Sequence, residues 1–400
     1  MNNNVVVTGV GVVSSIGIGK DKFWKNLLAG KSGISAIEQF DTSTHKRHNG
    51  GEIKHFDPTR FIHSRHIKYY GRASQMAILA TKLALHDANI TLAEVKREKC
   101  SLIIGATMPE DSSLDFSSED LLKNKGGRIT KTQVLNTFPP SLCRNIGMFL
   151  KIKGNNLLIP CACAAGNYCI GYGYDMIRSK ETDIAIVGGA EAISRIAFQG
   201  FQRIYAMAPE TCSPFDKNRT GMLLGEGAAI LILESEENAL KRKKDVYARV
   251  AGYGLSCDAH HITIPKRTGL KKAMANAVKN AGLTPDDIDY ISAHGTGTGQ
   301  NDKEESAAIN ELFGGKRVPT SSIKSMLGHT MGAASAIEAV TCCLAIKNGE
   351  IPPTINYTTP DPDCDIDCVP NFSRKHAVTA ALNNSFAFGG NNSCVVFSKN

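Results

Sequence analysis

What this chain lacks narrows its function before any motif is considered. No apolar run approaches the ~18 residues that cross a bilayer, so no membrane span is expected. The opening MNNNVVVTGVGVV has no basic stretch ahead of its apolar residues. It reads as a strand and a glycine turn rather than a secretion signal, and a cytoplasmic location is expected. Aromatic residues make up 6% of the chain, with 1 tryptophan, and neither zinc-finger spacing nor an RNP-type aromatic signature occurs. The net charge of +8 is therefore not assigned to nucleic acid; an acidic protein partner fits its sign as well. The dense cysteine spacing of a small disulfide scaffold is also missing. The 12 cysteines are spread over 400 residues, enough chain to bury a core without staples, and read as reduced thiols. Cys161-Ala162-Cys163 is too tight for half of a C-x-x-C zinc pair, and no metal site is expected. After Gly9-Val10-Gly11, a dinucleotide fingerprint would need glycine at position 14, where Ser14 stands. No sequence repeat is visible, so any duplication would be structural only.

What is present describes an ordinary globular protein, 42% hydrophobic and 21% charged. Short apolar runs at 5–7, 101–105, 182–189 and 227–234 read as buried strands, and a second group recurs at 248–250, 288–292 and 393–397. Helical spacing lies between them, at 23–28, within 60–87, at 270–281 and from about 332 to 347. Strands alternating with helices predict an α/β protein with largely buried sheets. Residues 111–137 are polar and uneven and read as a long loop or cap. Lys241-Arg242-Lys243-Lys244 marks a surface break, dividing the chain into halves 1–245 and 246–400.

The chain is organised around LLIPCACAAGNYCIGYGYD, residues 157–175. A three-residue apolar run ends at Pro160, which cannot donate to a ladder, and small residues then lead into a helical pattern. Strand, tight turn and helix hold a side chain at a helix N-terminus, where unpaired amides and the dipole favour negative charge. A cysteine so placed is expected to have a lowered pKa and more thiolate. Free cysteine is often a small buried hydrophobe, and Cys161 and Cys169 are read that way. Cys163 is the candidate nucleophile.

Two histidines strengthen it. In SAHGTGT, His294 ends a strand and enters a loop bearing Thr296 and Thr298; the loop lacks the lysine of a P-loop. In SIKSMLGH, His329 follows a glycine, and Lys324 precedes it by five residues. A buried lysine needs a carboxylate, and Glu338 on the following helix is its expected partner. The turn NSFAFGGNN, residues 384–392, supplies amides and two rings. A thiolate with two imidazoles suits acyl transfer to sulfur followed by stabilisation of an enolate.

These motifs resemble the elongating 3-oxoacyl-acyl-carrier-protein synthases, the β-ketoacyl synthase branch of the thiolase-like condensing enzymes. Further matches are VVVTGVGVVS, Gly188-Gly189-Ala190-Glu191, Ser213-Pro214-Phe215-Asp216, Gly225-Glu226-Gly227 and Asp258-Ala259-His260-His261-Ile262-Thr263. The resemblance implies a five-layered αβαβα sandwich of two similar halves, assembled as a homodimer, with a heterodimer of related subunits as the alternative. It implies that Cys163 is acylated, that His294 and His329 complete a Cys-His-His triad, and that Lys324 and Glu338 support it. Thr296 and Thr298 match residues that hold phosphopantetheine. Phe388 matches a gatekeeper, next to Gly389 in the substrate-binding turn, whose neighbouring amide joins an oxyanion hole. Acyl-carrier protein is the implied partner, docking on a basic face that includes Arg65, Lys68, Arg72 and Arg128, and no cofactor is implied. The chain departs from the usual pattern at Cys161, Ala387, Asn391, His260 and Tyr205, and by an arginine in the 65–72 region. These departures leave the chemistry intact and lean towards a specialised polyene or polyketide synthase.

Overall fold

A computed structural model describes residues 4–97, 99–123, 130–138 and 140–400. Its ten main strands fall into two sets of five. The first set is β1 (Val5–Ser14), β2 (Cys100–Gly105), β3 (Asn156–Ile159), β4 (Ile184–Glu191) and β5 (Gly227–Ser235). The second is β6 (Ala248–Cys257), β7 (Tyr290–Ser292), β8 (Thr320–Ser321), β9 (Ala380–Phe386) and β10 (Asn391–Ser398). The spatial order of the first set is β3-β2-β4-β5-β1, and that of the second is β8-β7-β9-β10-β6. Matched positions in the two orders pair in the same sense: parallel, parallel, antiparallel, antiparallel. Antiparallel pairing of Val5–Val7 with residues 248–250 joins the two sets edge to edge.

Helices cover both faces of each set, which explains why the strands read as continuous apolar runs. Helix α1 (Arg72–Asp87) lies on the outer face of the first sheet. Helices α2 (Ala165–Arg178) and α5 (Ala334–Asn348) fill the layer between the sheets, while α3 (Arg267–Asn280) and α4 (Gly299–Phe313) cover the outer face of the second. The result is the five-layered αβαβα sandwich. Helix α5 is apolar nearly all round, as burial between two sheets requires. The opening glycines have a packing role: a Cβ on Gly11 would come within 2.0 Å of the Ala80 carbonyl of α1. Gly9-Val10-Gly11 therefore lets a helix approach β1 closely.

Two expectations change. The polar stretch 111–137 contains helices Asp111–Lys123 and Lys131–Thr137; polarity there reflects one exposed side, not absence of structure. The periodic segment beginning at residue 60 becomes a continuous helix only at Arg72, because a 3-10 turn (Pro58–Arg60) and one helical turn (Ser64–Ile67) precede it.

Candidate active site

The site forms where the N-terminal ends of α2 and α5 face each other, each after a 3-10 turn, Ala162–Ala164 and Met331–Ala333. Both turns begin with a non-glycine residue at positive φ, Ala162 at 46° and Met331 at 47°. Left-handed backbone at such residues persists only where the surroundings hold it, and it is enriched at functional sites. Here the holding contacts cross between the halves. The hydroxyls of Ser335 and Ser385 donate to the Cys163 carbonyl at 3.1 and 2.8 Å. Glu191, buried at the end of β4, accepts the amides of Thr107, Met108 and Gly332 at 2.7 to 3.0 Å. That carboxylate pins the turn after His329, and burial pushes its pKa up to about 7.

The structure brings Cys163, His294 and His329 together. One side-chain atom from each lies within 4.8 Å of the others. Cys163 Sγ is 3.0 Å from His329 Nε2, and the two imidazoles stand edge to face, with centroids 5.5 Å apart. The Met331 amide donates to His329 Nδ1 at 3.2 Å. A nitrogen accepting that bond carries no proton, so the hydrogen of neutral His329 sits on Nε2, pointing at the sulfur. Nε2 is then a donor with no lone pair to offer. The three groups have metal-like spacing, but this tautomer does not suit a metal ligand.

Electrostatics at the site differ from the expectation in one respect. Burial, the largest effect, pushes the Cys163 thiol up to about 12, against the pull of Lys324 and of the Cys163 and Phe388 amides. The helix-end and amide stabilisation read from the sequence exists, but desolvation of a 7% exposed thiol outweighs it. Burial also holds both histidines well below the ordinary imidazole value, with the nearby Lys324 charge adding to the effect. Lys324 is ion-paired with Glu338, both side chains being 2% exposed or less. Burial pushes Glu338 up to about 7, against the opposing Lys324 charge. The paired lysine thus keeps a positive potential beside the site that favours thiolate and neutral imidazoles.

A cavity of about 270 Å³ opens from this floor and is lined by Thr296, Thr298 and Phe388 as well as the triad. The Thr296 and Thr298 hydroxyls are 2.9 Å apart. Their loop is held from α4: Glu305 accepts the His294 and Gly295 amides at 2.8 Å, one on each oxygen, and Asp302 accepts the amides of Gly297 and Phe215. Glu305 and Glu191 were missed as positioning residues, although Glu191 lies in a quoted motif. The signal available for Glu305 was a carboxylate pair one helical turn apart just after a histidine loop.

The remaining expected residues divide. The Gly389 N–H donates to the Ile262 carbonyl at 2.8 Å, and the Phe388 amide faces the Cys163 sulfur. Arg65 and Lys68 are exposed. Arg72 is not part of a solvated face, because its guanidinium turns inward onto buried Glu226, at 2.5 and 2.9 Å, and onto the Ile53 carbonyl. Arg128 lies outside the described residues.

With this geometry in place, comparison with known proteins decides the family. The β-ketoacyl synthase N-terminal domain model matches residues 2–239 and the C-terminal domain model matches residues 247–358. The chain belongs to the β-ketoacyl synthase family. It is 37% identical over 406 residues to the 3-oxoacyl-acyl-carrier-protein synthase 2 of Synechocystis sp., covering 99% of this chain and 98% of that protein. Among solved structures it is similar to the ishigamide ketosynthase/chain length factor, at 43% identity and TM-score 0.97, with both chains covered in full. It also resembles a type II polyketide synthase ketosynthase in complex with its acyl-carrier protein and bound to the hexaketide, at 31% identity and TM-score 0.91 over the whole of both chains. This β-ketoacyl synthase is a condensing enzyme of fatty-acid or polyketide synthesis.

Proposed function

We propose that this condensing enzyme acts as an acyltransferase through Cys163, with His294 and His329 as the decarboxylation pair. The observation carrying this reading is the 3.0 Å contact between Cys163 Sγ and His329 Nε2, beside a second neutral imidazole, at the floor of one cavity. Cys163 sulfur attacks an acyl-carrier thioester. Its proton leaves with the carrier thiol, and the acyl group stays on Cys163. A malonyl-carrier then occupies the emptied channel, where Thr296 and Thr298 hold its phosphopantetheine. Loss of carbon dioxide leaves an enolate, whose oxygen is met by the imidazole N–H groups of His294 and His329. The enolate carbon attacks the acyl carbonyl, and the Cys163 and Phe388 amides stabilise the resulting oxyanion. Collapse expels the Cys163 thiolate and releases 3-oxoacyl-carrier. The steps need no cofactor beyond the carrier's own phosphopantetheine.

Acyl-carrier protein is the partner in this reading, with Arg65 and Lys68 as the exposed part of its docking face. The cytoplasm is the proposed location; no described helix is long and apolar enough to cross a membrane. We take residues 1–245 and 246–400 as the two domains, supplying the nucleophile and the histidines respectively. A polyene or polyketide pathway is favoured over primary fatty-acid synthesis by the departures at Cys161, Tyr205 and Asn391 and by the 43% identity to the ishigamide protein. The rival reading, a non-catalytic chain-length partner, has no use for a thiol and two neutral imidazoles so arranged. Incubation with a panel of acyl-carriers, followed by mass spectrometry of the Cys163 peptide, tests the proposal. An unsaturated or polyketide chain is expected on Cys163; exclusive loading of saturated chains contradicts the pathway, and no loading on Cys163 contradicts the reaction.

A further inference from the structure

Thr298 stands at the N-cap position of α4, where a threonine ordinarily turns its hydroxyl back to accept an amide of the first helical turn. It makes no such bond here. Its hydroxyl lies 2.9 Å from that of Thr296, on the wall of the cavity that opens from Cys163. The capping group is thereby released to face a ligand, and the end of the helix must be secured from elsewhere.

Asp302 secures it from within α4, through the Gly297 amide. A cation from a different segment does the rest. The Arg219 side chain is 6% exposed, and its guanidinium donates to the Gly299 carbonyl at 3.0 Å and to the Thr298 carbonyl at 3.4 Å. It also donates to the Asp216 carbonyl at 2.8 Å and is ion-paired with Asp361, while fully buried Asp302 lies 3.7 Å from its Nε. Asp361 is itself fixed, accepting the Asp363 amide at 3.0 Å at the start of the 3-10 turn Pro362–Cys364. One planar fork thus ties the turn at Asp216, the start of α4 and the Asp361 turn together. The single point charge of a lysine cannot make these bonds at once.

The tie reaches the cavity by a short route. Thr220, the next residue, lines the cavity with Thr296 and Thr298, whereas Arg219 does not. The Gly221 amide donates to the Gly297 carbonyl at 2.9 Å, so the chain after Arg219 runs beside the threonine loop. We propose that Arg219 is a positioning residue for the carrier's arm: it holds the Thr298 hydroxyl in the cavity wall and so sets how tightly the phosphopantetheine binds. This rests on the reading that Thr296 and Thr298 hold that arm. Arg219 touches none of Cys163, His294 and His329. Its effect falls on the arm's binding in ground state and transition state alike, which changes KM and leaves kcat.

The test is steady-state carbon dioxide release from malonyl-pantetheine, the arm without its carrier protein, which keeps carrier docking out of the measurement. Arg219→Lys retains the charge and loses the fork. It should raise KM at least about tenfold and leave kcat within about twofold. Alkylation of Cys163 by iodoacetamide should match that of the native chain. Asp361→Asn removes one anchor of the fork at a half-buried position. It should raise KM in the same direction by a smaller factor, and it decides the matter if Arg219→Lys fails to fold. Thr298→Ala should raise KM as well. If Thr298→Ala raises KM while Arg219→Lys and Asp361→Asn leave it unchanged, the proposal is overturned and the threonine reading stands. An unchanged KM in Thr298→Ala removes the threonine reading and the proposal with it. Loss of kcat and of Cys163 alkylation in folded Arg219→Lys makes Arg219 a general support of the site, and that too overturns the proposal.

Discussion

At the scale of single residues, burial sets the chemistry more than any local motif. Cys163 sits at a helix N-terminus, yet its thiol is pushed up to about 12, so the neutral form dominates in the resting site. Below its pKa, a thiol's alkylation rate rises with the thiolate fraction, about tenfold per pH unit. Iodoacetamide labelling of Cys163 should therefore still be climbing at pH about 10, and a plateau near pH 8 would mean that the helix end and Lys324 outweigh burial. Cys163→Ala should abolish both loading and condensation. The histidines give a second pH prediction. Their folded pKa values lie well below 6.5, so each stays neutral as pH falls through the range where an unfolded imidazole gains its proton. Nitrogen-15 NMR should show His329 as the Nε2–H tautomer at pH 6, whereas an imidazolium titrating near 6.5 would remove it from the role of neutral donor.

Between elements, close approach and buried carboxylates fix the geometry. A Cβ on Gly166 of α2 would lie 2.6 Å from the Ala336 amide nitrogen of α5. Gly166→Ala should destabilise the fold by about 1–3 kcal/mol in chemical denaturation, as overpacking between two buried helices does. Glu305→Gln keeps one acceptor of two and turns an amide group towards a buried N–H. An unpaired buried donor costs about 1–3 kcal/mol, and because Glu305 positions His294 without touching substrate, kcat for decarboxylation should fall while Cys163 labelling is unchanged. These contacts also mark the limit of sequence reading. The Cys163 turn and the loops around His294 and His329 were legible because small residues and glycine at a strand end carry a local signature. Arg72 reaches 154 residues to Glu226, so that contact has no local pattern, and the Glu305 contact, 11 residues back to the His294 amide, leaves only the weak signal of its carboxylate pair. The thiol's pKa was misread for the same reason: burial is a sum over the whole surroundings.

For the molecule as a whole, net charge and the pairing of halves matter most. Reversing charge at Arg65 and Lys68 together should raise KM for acyl-carrier and reduce its salt dependence, leaving Cys163 alkylation unchanged. An unaltered KM would make these residues an ordinary solvated turn. The two halves repeat one strand order but contribute different parts, the Cys163 sulfur from the first and both imidazoles from the second. The central claim is that these parts do separate jobs, acyl storage on sulfur and decarboxylation at the histidines. Its most direct test is a pair of assays on folded His294→Ala and His329→Ala chains: acyl loading by intact mass, and carbon dioxide release from malonyl-carrier. Both variants should lose about a hundred- to a thousand-fold in decarboxylation, as removal of one oxyanion donor does, while at least His294→Ala still loads Cys163. Loss of loading in both with decarboxylation intact would contradict the account and make the histidines bases for the thiol.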